Sequence, residues 1–311
     1  MTSNNTHFNS LDKFDVYISL QDHIEYLIYG NKNNNNLDIM RIRDKTVITS
    51  LKGHETYIHA IKYYLKDHKE DYILSTDANK IVIIWDIQNF YNKKYIIKTQ
   101  YSNTIYDALL LFNIFNKDYI LLSNSSKDEY CKLYEFKENT PFIRNIHGTN
   151  DHCAYFIIPW LYQNKYYLIE CSDNKIYINN IFEDENYADL SMDPEGSYYG
   201  GYLYNDNYLC VSCAGRYFIR IWDLAKKVIF KQINFENSGS TCFYETIFWN
   251  NDFTIFTSDD SIIMIDIKES KMIKKISKSG CRASAKKIKM EQLGECLICK
   301  TSSNEIQLYS L

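Results

Sequence analysis

The feature that most constrains this chain is a recurrence. Residues 81–87 read IVIIWDI and residues 218–224 read FIRIWDL, each an apolar run that ends in Trp-Asp and one more aliphatic residue. Five further segments have the same shape without the Trp-Asp pair: DIMRIRD (38–44), CKLYEF (131–136), KIYINNI (175–181), SIIMIDI (261–267) and EIQLYSL (305–311). Aligned on the Trp position they give Arg43, Trp85, Tyr134, Asn179, Trp222, Ile265 and Tyr309, with steps of 42 to 49 residues that average about 44. Seven such repeats account for the whole 311-residue chain, so the period governs the fold before any local motif does.

Each repeat has the same internal order. A strand and a polar turn precede the Trp-position strand, as in DYILSTDAN (71–79) and YYLIECSDN (166–174). Another strand follows it, as in KYIIKTQ (94–100), and a further one opens the next repeat, as in YIHAIKYY (57–64). The runs are short, β-branched and aromatic, are separated by Asn, Asp, Ser and Lys, and show no sustained helical period. Four antiparallel strands per repeat, seven times over, predict an all-β, seven-bladed β-propeller with residues 1–311 as a single domain. The last repeat ends at Leu311 one strand short, so the N-terminal segment 5–11 (NTHFNSL) is expected to pair with residues 305–311 and close the ring, because an open edge invites aggregation.

The repeat at 53–86 has Gly53-His54, then Ser75 on a strand, Asn79 in the following turn, and Trp85-Asp86. In this the chain resembles the WD-repeat (tryptophan-aspartate repeat) family over essentially its full length, with the pair returning as Trp222-Asp223. The resemblance implies a structural hydrogen-bonded chain of His54, Ser75, a turn residue and Trp85, with the turn residue six before the Trp position, at Asn79. The other repeats depart from the pattern: that turn position holds Leu37, Asp128, Asp173, Arg216, Asp259 and Ser303. The apolar run itself reads as a strand covered on both faces, and Trp-Asp as a frame for the fold and not as a site.

Composition narrows the function. The net charge is −4 and the pI about 6.0, with no general basic bias toward nucleic acid. Only the Lys-rich stretch 270–290 could serve an acidic partner, RNA or an anionic membrane, the last disfavoured because the Phe-Arg-Arg-Gly stretch of some lipid-binding propellers is missing; its plainer reading is a solvated strand and turn between the sixth and seventh repeats. With 10 Gly and 3 Pro in the chain, turns are expected to fall to Asn and Asp. The N-terminus has no secretory pattern, no apolar run is long enough for a membrane span, and nine cysteines then indicate a reducing interior, cytoplasmic with the nucleus as the other possibility. Cys210 with Cys213 and Cys296 with Cys299 have the spacing of half zinc sites, but residues three apart on a strand point to opposite faces, so they read as small buried hydrophobes. Catalytic and phosphate-binding motifs are absent, so no enzyme activity, cofactor, metal or small-molecule substrate is expected.

What remains is a rim. The starts of the first strands place His59, Asp107, Tyr155, Tyr199, Tyr244 and Ser284 at comparable depth, with Tyr57, Tyr106, Tyr198 and Phe243 beside them. Tyrosines bury large rigid area and keep a polar end, which suits gripping a peptide. The composition bears equally on a plain explanation, since the chain has 28 Tyr in all. The resemblance implies a non-enzymatic scaffold that binds partner peptides or domains within a multiprotein complex. The alternative is a structural subunit of a large cytoskeletal or ribonucleoprotein assembly.

Overall fold

The computed structural model describes residues 11–89, 91–99, 101–124, 130–146, 154–172, 175–191, 197–214, 218–234, 243–250, 252–258, 261–277, 284–290, 293–300 and 306–310. The chain divides into two compact units, one mainly Phe8–Asn145 and the other mainly Ile146–Lys289 with Leu293–Leu311.

The first unit contains three antiparallel meanders. They are β1 (Leu11–Ile18), β2 (Glu25–Asn31), β3 (Leu37–Arg41) and β4 (Val47–Leu51); β5 (Ile58–Lys66), β6 (Glu70–Asp77), β7 (Ile81–Asp86) and β8 (Asn92–Lys98); and β9 (Ala108–Ile114), β10 (Lys117–Leu122), β11 (Cys131–Glu135) and β12 (Phe142–Ile146). The second unit contains three more: β13 (Phe156–Tyr162) with β14 (Lys165–Cys171), β15 (Lys175–Asn180) and β16 (Asn186–Ser191); β17 (Ser197–Tyr204) with β18 (Tyr208–Ala214), β19 (Phe218–Asp223) and β20 (Val228–Asn234); and β21 (Phe243–Phe248) with β22 (Phe253–Ser258), β23 (Ser261–Asp266) and β24 (Lys271–Ser277). A seventh sheet has three described strands, β25 (Ser284–Met290), β26 (Gly294–Lys300) and β27 (Ile306–Ser310). Seven sheets are the number the repeat predicts, and no helix occurs among the described residues.

The third strand of each complete sheet is largely buried. Val82, Ile83 and Ile84 of β7 are all solvent-free, one set of side chains packing toward the first sheet with Ile39 and Ile73, the other toward the third with Leu74 and Ile120. That is why the sequence there shows an unbroken apolar run and no alternation. Each such side chain contributes roughly 1.5–3 kcal/mol relative to exposure. In the second unit, Ile178 and Val211 pack in one cluster and Ile221 and Ile263 in another.

Two backbone details repeat and fix the alignment of the sheets. Between strands three and four the register slips at Met40, Trp85, Asn179, Trp222 and Ile265, so a β-bulge marks the Trp position. Two residues later the amide of Ile42, Ile87, Phe136, Ile181, Leu224 or Ile267 donates to a carbonyl at the start of strand two. The Trp-position residue of the first sheet is therefore Met40, and not Arg43, which lies in the turn beyond β3. The sequence alignment matched the apolar pattern of DIMRIRD one turn too late.

The Asp of Trp-Asp closes the hairpin to strand four. Asp86 Oδ1 accepts the Asn89 amide, Asp223 Oδ1 the Lys226 amide and Asp266 Oδ1 the Glu269 amide, and Asn180 does the same for Glu183. Asx turns of this kind replace the missing glycines. Left-handed backbone falls to Asn35, Asn116, Asn139, Asn164 and Asn205, as composition predicts, but also to Lys45, Lys80 and Lys227.

Leu11, the last residue of the segment expected to close the ring, pairs with Asn31 in β1–β2; residues 5–10 lie outside the described residues, and so does that expectation. Cys210, Cys296 and Cys299 are buried, whereas nothing is described of the Cys213 side chain. The basic stretch spans β24 and β25, with 278–283 between them outside the described residues.

Candidate functional site

Among the described residues, the one sheet with the full polar frame is the second. Trp85 Nε1 donates to Ser75 Oγ at 2.9 Å, Ser75 Oγ meets His54 Nε2 at 2.7 Å, and His54 Nδ1 meets Asp77 Oδ2 at 2.9 Å. The His54 and Asp77 side chains are fully buried. The carboxylate of this chain is Asp77, and not a group at Asn79. Asn79 instead gives its backbone N–H to Thr56 Oγ1 at 3.3 Å. Counting six back from tryptophan lands in the turn beyond β6, whereas Asp77, eight before Trp85, is the last residue of that strand. Counting forward from Ser75 by two, the period that keeps a strand residue on the same face, reaches Asp77 directly.

His54 sits in the segment joining β4 to β5, so the frame anchors that segment, residues 52–57. Three further bonds hold it. Asn35 Nδ2 donates to the Glu55 carbonyl at 2.9 Å, the Ala78 amide to the Tyr57 carbonyl at 3.2 Å, and Asn79 to Thr56 as above. Gly53 admits no larger residue without movement: a Cβ there would stand 2.9 Å from the buried Ile83 Cδ1. Asn35 belongs to the tract NKNNNN (31–36), which forms the β2–β3 turn. Asn31 and Asn34 side chains accept the amides of Asn33 and Asn36, and Asn36 Nδ2 reaches Ser50 Oγ.

Between this turn and the 52–57 segment lies an open cavity of about 580 Å³, lined by Lys32, Asn35, Glu55, Thr56 and Tyr57. Tyr57 is 51 % exposed and its ring lies 4.6 Å from that of His59. The walls offer a cation, a carboxylate, a hydroxyl, an amide and an aromatic face on a backbone already fixed by hydrogen bonds, a set suited to recognising a polypeptide.

The six rim residues all fall at the start of a first strand. His59, Tyr199 and Tyr244 are each the extra residue of a β-bulge, opposite the steps Ile58–Ala60, Tyr198–Gly200 and Phe243–Glu245. Bulges of this kind recur beside binding sites. Asp107 is taken up structurally: it is buried, pairs with Lys62 at 2.5 Å and accepts the Ala108 amide. Tyr155 is half-buried and gives its amide to the Cys171 carbonyl just before β13. Nothing is described of the Tyr199, Tyr244 and Ser284 side chains. Among the described side chains of the six, that of His59 is brought to the cavity, through Tyr57. Sequence reasoning placed Tyr57 beside the rim but missed Lys32, Asn35, Glu55 and Thr56; the poly-Asn run, read only as composition, was the available signal.

The same sheet carries a buried acid that the frame does not use. Asp71, at the start of β6, is 2 % exposed and one of its oxygens meets no hydrogen-bond partner among the described residues. Burial, and then the charge of Asp86, push its carboxyl up to about 6. Burial raises the hydroxyls of Tyr17, Tyr63 and Tyr91, and the charge of Asp71 adds to each. The corresponding acids of the third, sixth and seventh sheets have lysine partners: Asp118 with Lys66, Asp252 with Lys268, and Glu295 with Lys287.

No family model and no curated protein sequence matches the chain. Solved structures do. The β-propeller domain of Myceliophteria thermophila Cps50 (Swd1) is similar over 100 % of both chains, with a TM-score of 0.74 and 11 % identity. BBS1N, solved in complex with ARL6DN, is similar over 100 % of this chain and 95 % of its own, with a TM-score of 0.73 and 9 % identity. The fold is thus a seven-bladed, all-β propeller of four-stranded antiparallel blades. With 1214 solved chains similar to it, the fold alone selects no activity.

Proposed function

We propose that the chain is a divergent WD-repeat propeller that acts as a non-enzymatic interaction scaffold, docking a partner polypeptide on the 52–57 segment and the β2–β3 turn. The observation that carries this reading is the coupling of frame and cavity. The His54–Ser75–Trp85 chain, completed by Asp77, immobilises the backbone that presents Glu55, Thr56 and Tyr57. A preformed surface spends little ordering entropy on binding. BBS1N, a propeller of the same fold, was solved with a protein partner, which supports the class of ligand. Cys131, Cys171, Cys210, Cys296 and Cys299 are all buried, in keeping with a reducing compartment, cytoplasm or nucleus.

The test is quantitative affinity purification of the tagged chain beside Tyr57→Ala and Glu55→Lys. The scaffold reading expects partners to be lost at least ten-fold from both variants, with thermal melts unchanged. A second reading, a structural subunit of a larger assembly, is favoured by exposed apolar residues on outer strands, such as Val47, Ile48, Phe142 and Ile143. It expects stoichiometric partners that survive both substitutions.

A further inference from the structure

The outer strands of the sheets share one irregularity and differ in what they do with it. At the bulge beside the Trp position, the extra residue of strand four is Ile48, Lys94, Tyr187, Phe230 or Ile273. A bulge breaks the in-out alternation, so consecutive side chains can face solvent, and it twists an edge away from further strand pairing. In β8 the places are filled by Lys93 and Lys94, which is how an edge is ordinarily blunted. In β20 they are filled by Val228, Ile229 and Phe230, three exposed apolar residues in a row, with Phe230 59 % exposed. Its neighbour β24 repeats the arrangement with exposed Met272 and Ile273.

Both clusters are set among cations. Residues 226–231 carry Lys226, Lys227 and Lys231 and no acid, and residues 268–277 carry Lys268, Lys271, Lys274 and Lys275 against Glu269 alone. Asp223 and Asp252 pair with Lys226 and Lys268, and with Asp266 counted as well the seven lysines stand against four carboxylates, a local excess of positive charge on a chain whose net charge is −4. The lysines around β20 are held in place: Lys226 on Asp223 at 2.9 Å, Lys227 on the Tyr187 carbonyl at 2.6 Å, and Lys231 on the carbonyls of Ile267 and Lys268 at 2.5 and 2.8 Å. The last contact ties β20 to the turn that leads into β24.

From this we infer that the β20–β24 edge is a second docking surface, for a partner-protein segment in which large apolar side chains are flanked by carboxylates. Charge complementarity gives the acidic flanks, and Phe230 with Ile229 gives the apolar anchor. The fixed ammonium positions favour carboxylates at set spacing in a polypeptide over the fluid array of an anionic lipid surface. The bulge argues for side-chain docking and against strand addition. The surface is distinct in the chain from the 52–57 segment, and its test uses none of those residues.

The experiment is selection of displayed random 12-residue peptides on the full chain, with binding of the winners measured on Phe230→Glu, Lys274→Glu and, as a control at the same bulge position, Ile48→Glu. All three sites are on the surface, and melting curves confirm folding. The expected result is winners rich in Asp and Glu next to Leu, Phe or Trp, weakened at least ten-fold by Phe230→Glu and Lys274→Glu, weakened further by added salt, and unaffected by Ile48→Glu. Winners without an acidic bias, or indifferent to Phe230→Glu, would overturn the inference. So would co-sedimentation with phosphatidylserine vesicles that Phe230→Glu abolishes, in the absence of any acidic peptide that binds.

Discussion

The second and fifth sheets both end their third strand in Trp-Asp, and they use the tryptophan differently. In the second, Trp85 finds Ser75 and, through it, His54 and Asp77. In the fifth, the residue in register with Ser75 is Val211, and the buried Trp222 Nε1 meets no acceptor among the described residues. The next residue, Ser212, lies on the opposite face of β18 and bonds Thr246 Oγ1 of the sixth sheet at 2.8 Å. The fourth sheet offers a third solution: Asn179 stands at the Trp position and donates its amide to Glu170, which occupies the place of Ser75. The dipeptide therefore specifies packing and a turn in every sheet that carries it. The polar chain is a separate device, and among the described residues the complete version sits where a cavity needs a fixed wall.

This comparison can be broken in several ways. Trp85→Ala removes a fully packed indole and is expected to cost about 3–5 kcal/mol. A thermal melt unchanged within about a degree would contradict the frame. His54→Ala strands Ser75 and Asp77 in the interior and should cost about 1–3 kcal/mol by chemical denaturation. Trp85→Phe and Trp222→Phe both keep a ring and remove the N–H, so they isolate the polar difference. Trp85→Phe should be the more damaging by about 1 kcal/mol, because it deletes a made hydrogen bond while Trp222→Phe deletes an unmade one. Equal losses would mean that the two indoles are held alike.

The smallest effect concerns pH. Asp71 titrates at about 6 in the folded chain against 3.8 for a free carboxyl, so the folded state holds its proton more tightly than the unfolded state. Stability contributed by this group is present below about 4 and is lost as pH rises through about 6. Asp71→Asn should flatten that slope in melts taken from pH 4 to 8 and leave the variant the more stable above it. A slope unchanged by the substitution would assign it elsewhere. In the fifth sheet the corresponding residue is Asn207, which cannot titrate.

The fold was legible because seven buried third strands must each be an apolar run, and seven such runs at a near-constant interval leave few architectures. The exact alignment was less so. Met40 is hidden because methionine carries no pattern, while the arginines after it imitate the polar end of a strand. Asp77 was missed because it is the last residue of β6, whereas a count of six back from the tryptophan lands in the turn beyond. Of the rim, sequence position alone found the bulged residues His59, Tyr199 and Tyr244. It could not tell that Asp107 is spent on Lys62, because a salt bridge between neighbouring sheets leaves no trace in local sequence. The cavity wall built by asparagines 31–36 was unreadable for a different reason: the run looks like compositional drift until its side chains are seen closing a turn.

The most direct test of the account is amide hydrogen exchange at Ala78 and Asn79, whose N–H groups donate to the Tyr57 carbonyl and Thr56 Oγ1 of the 52–57 segment, in the wild-type chain and in Ser75→Ala, which severs the polar chain at its middle. The account predicts slow exchange of these two amides in the wild type, exchange at least ten-fold faster in the variant, and no change in β17–β20. Amides that exchange as fast in the wild type as in Ser75→Ala would contradict the claim that the frame holds the docking surface.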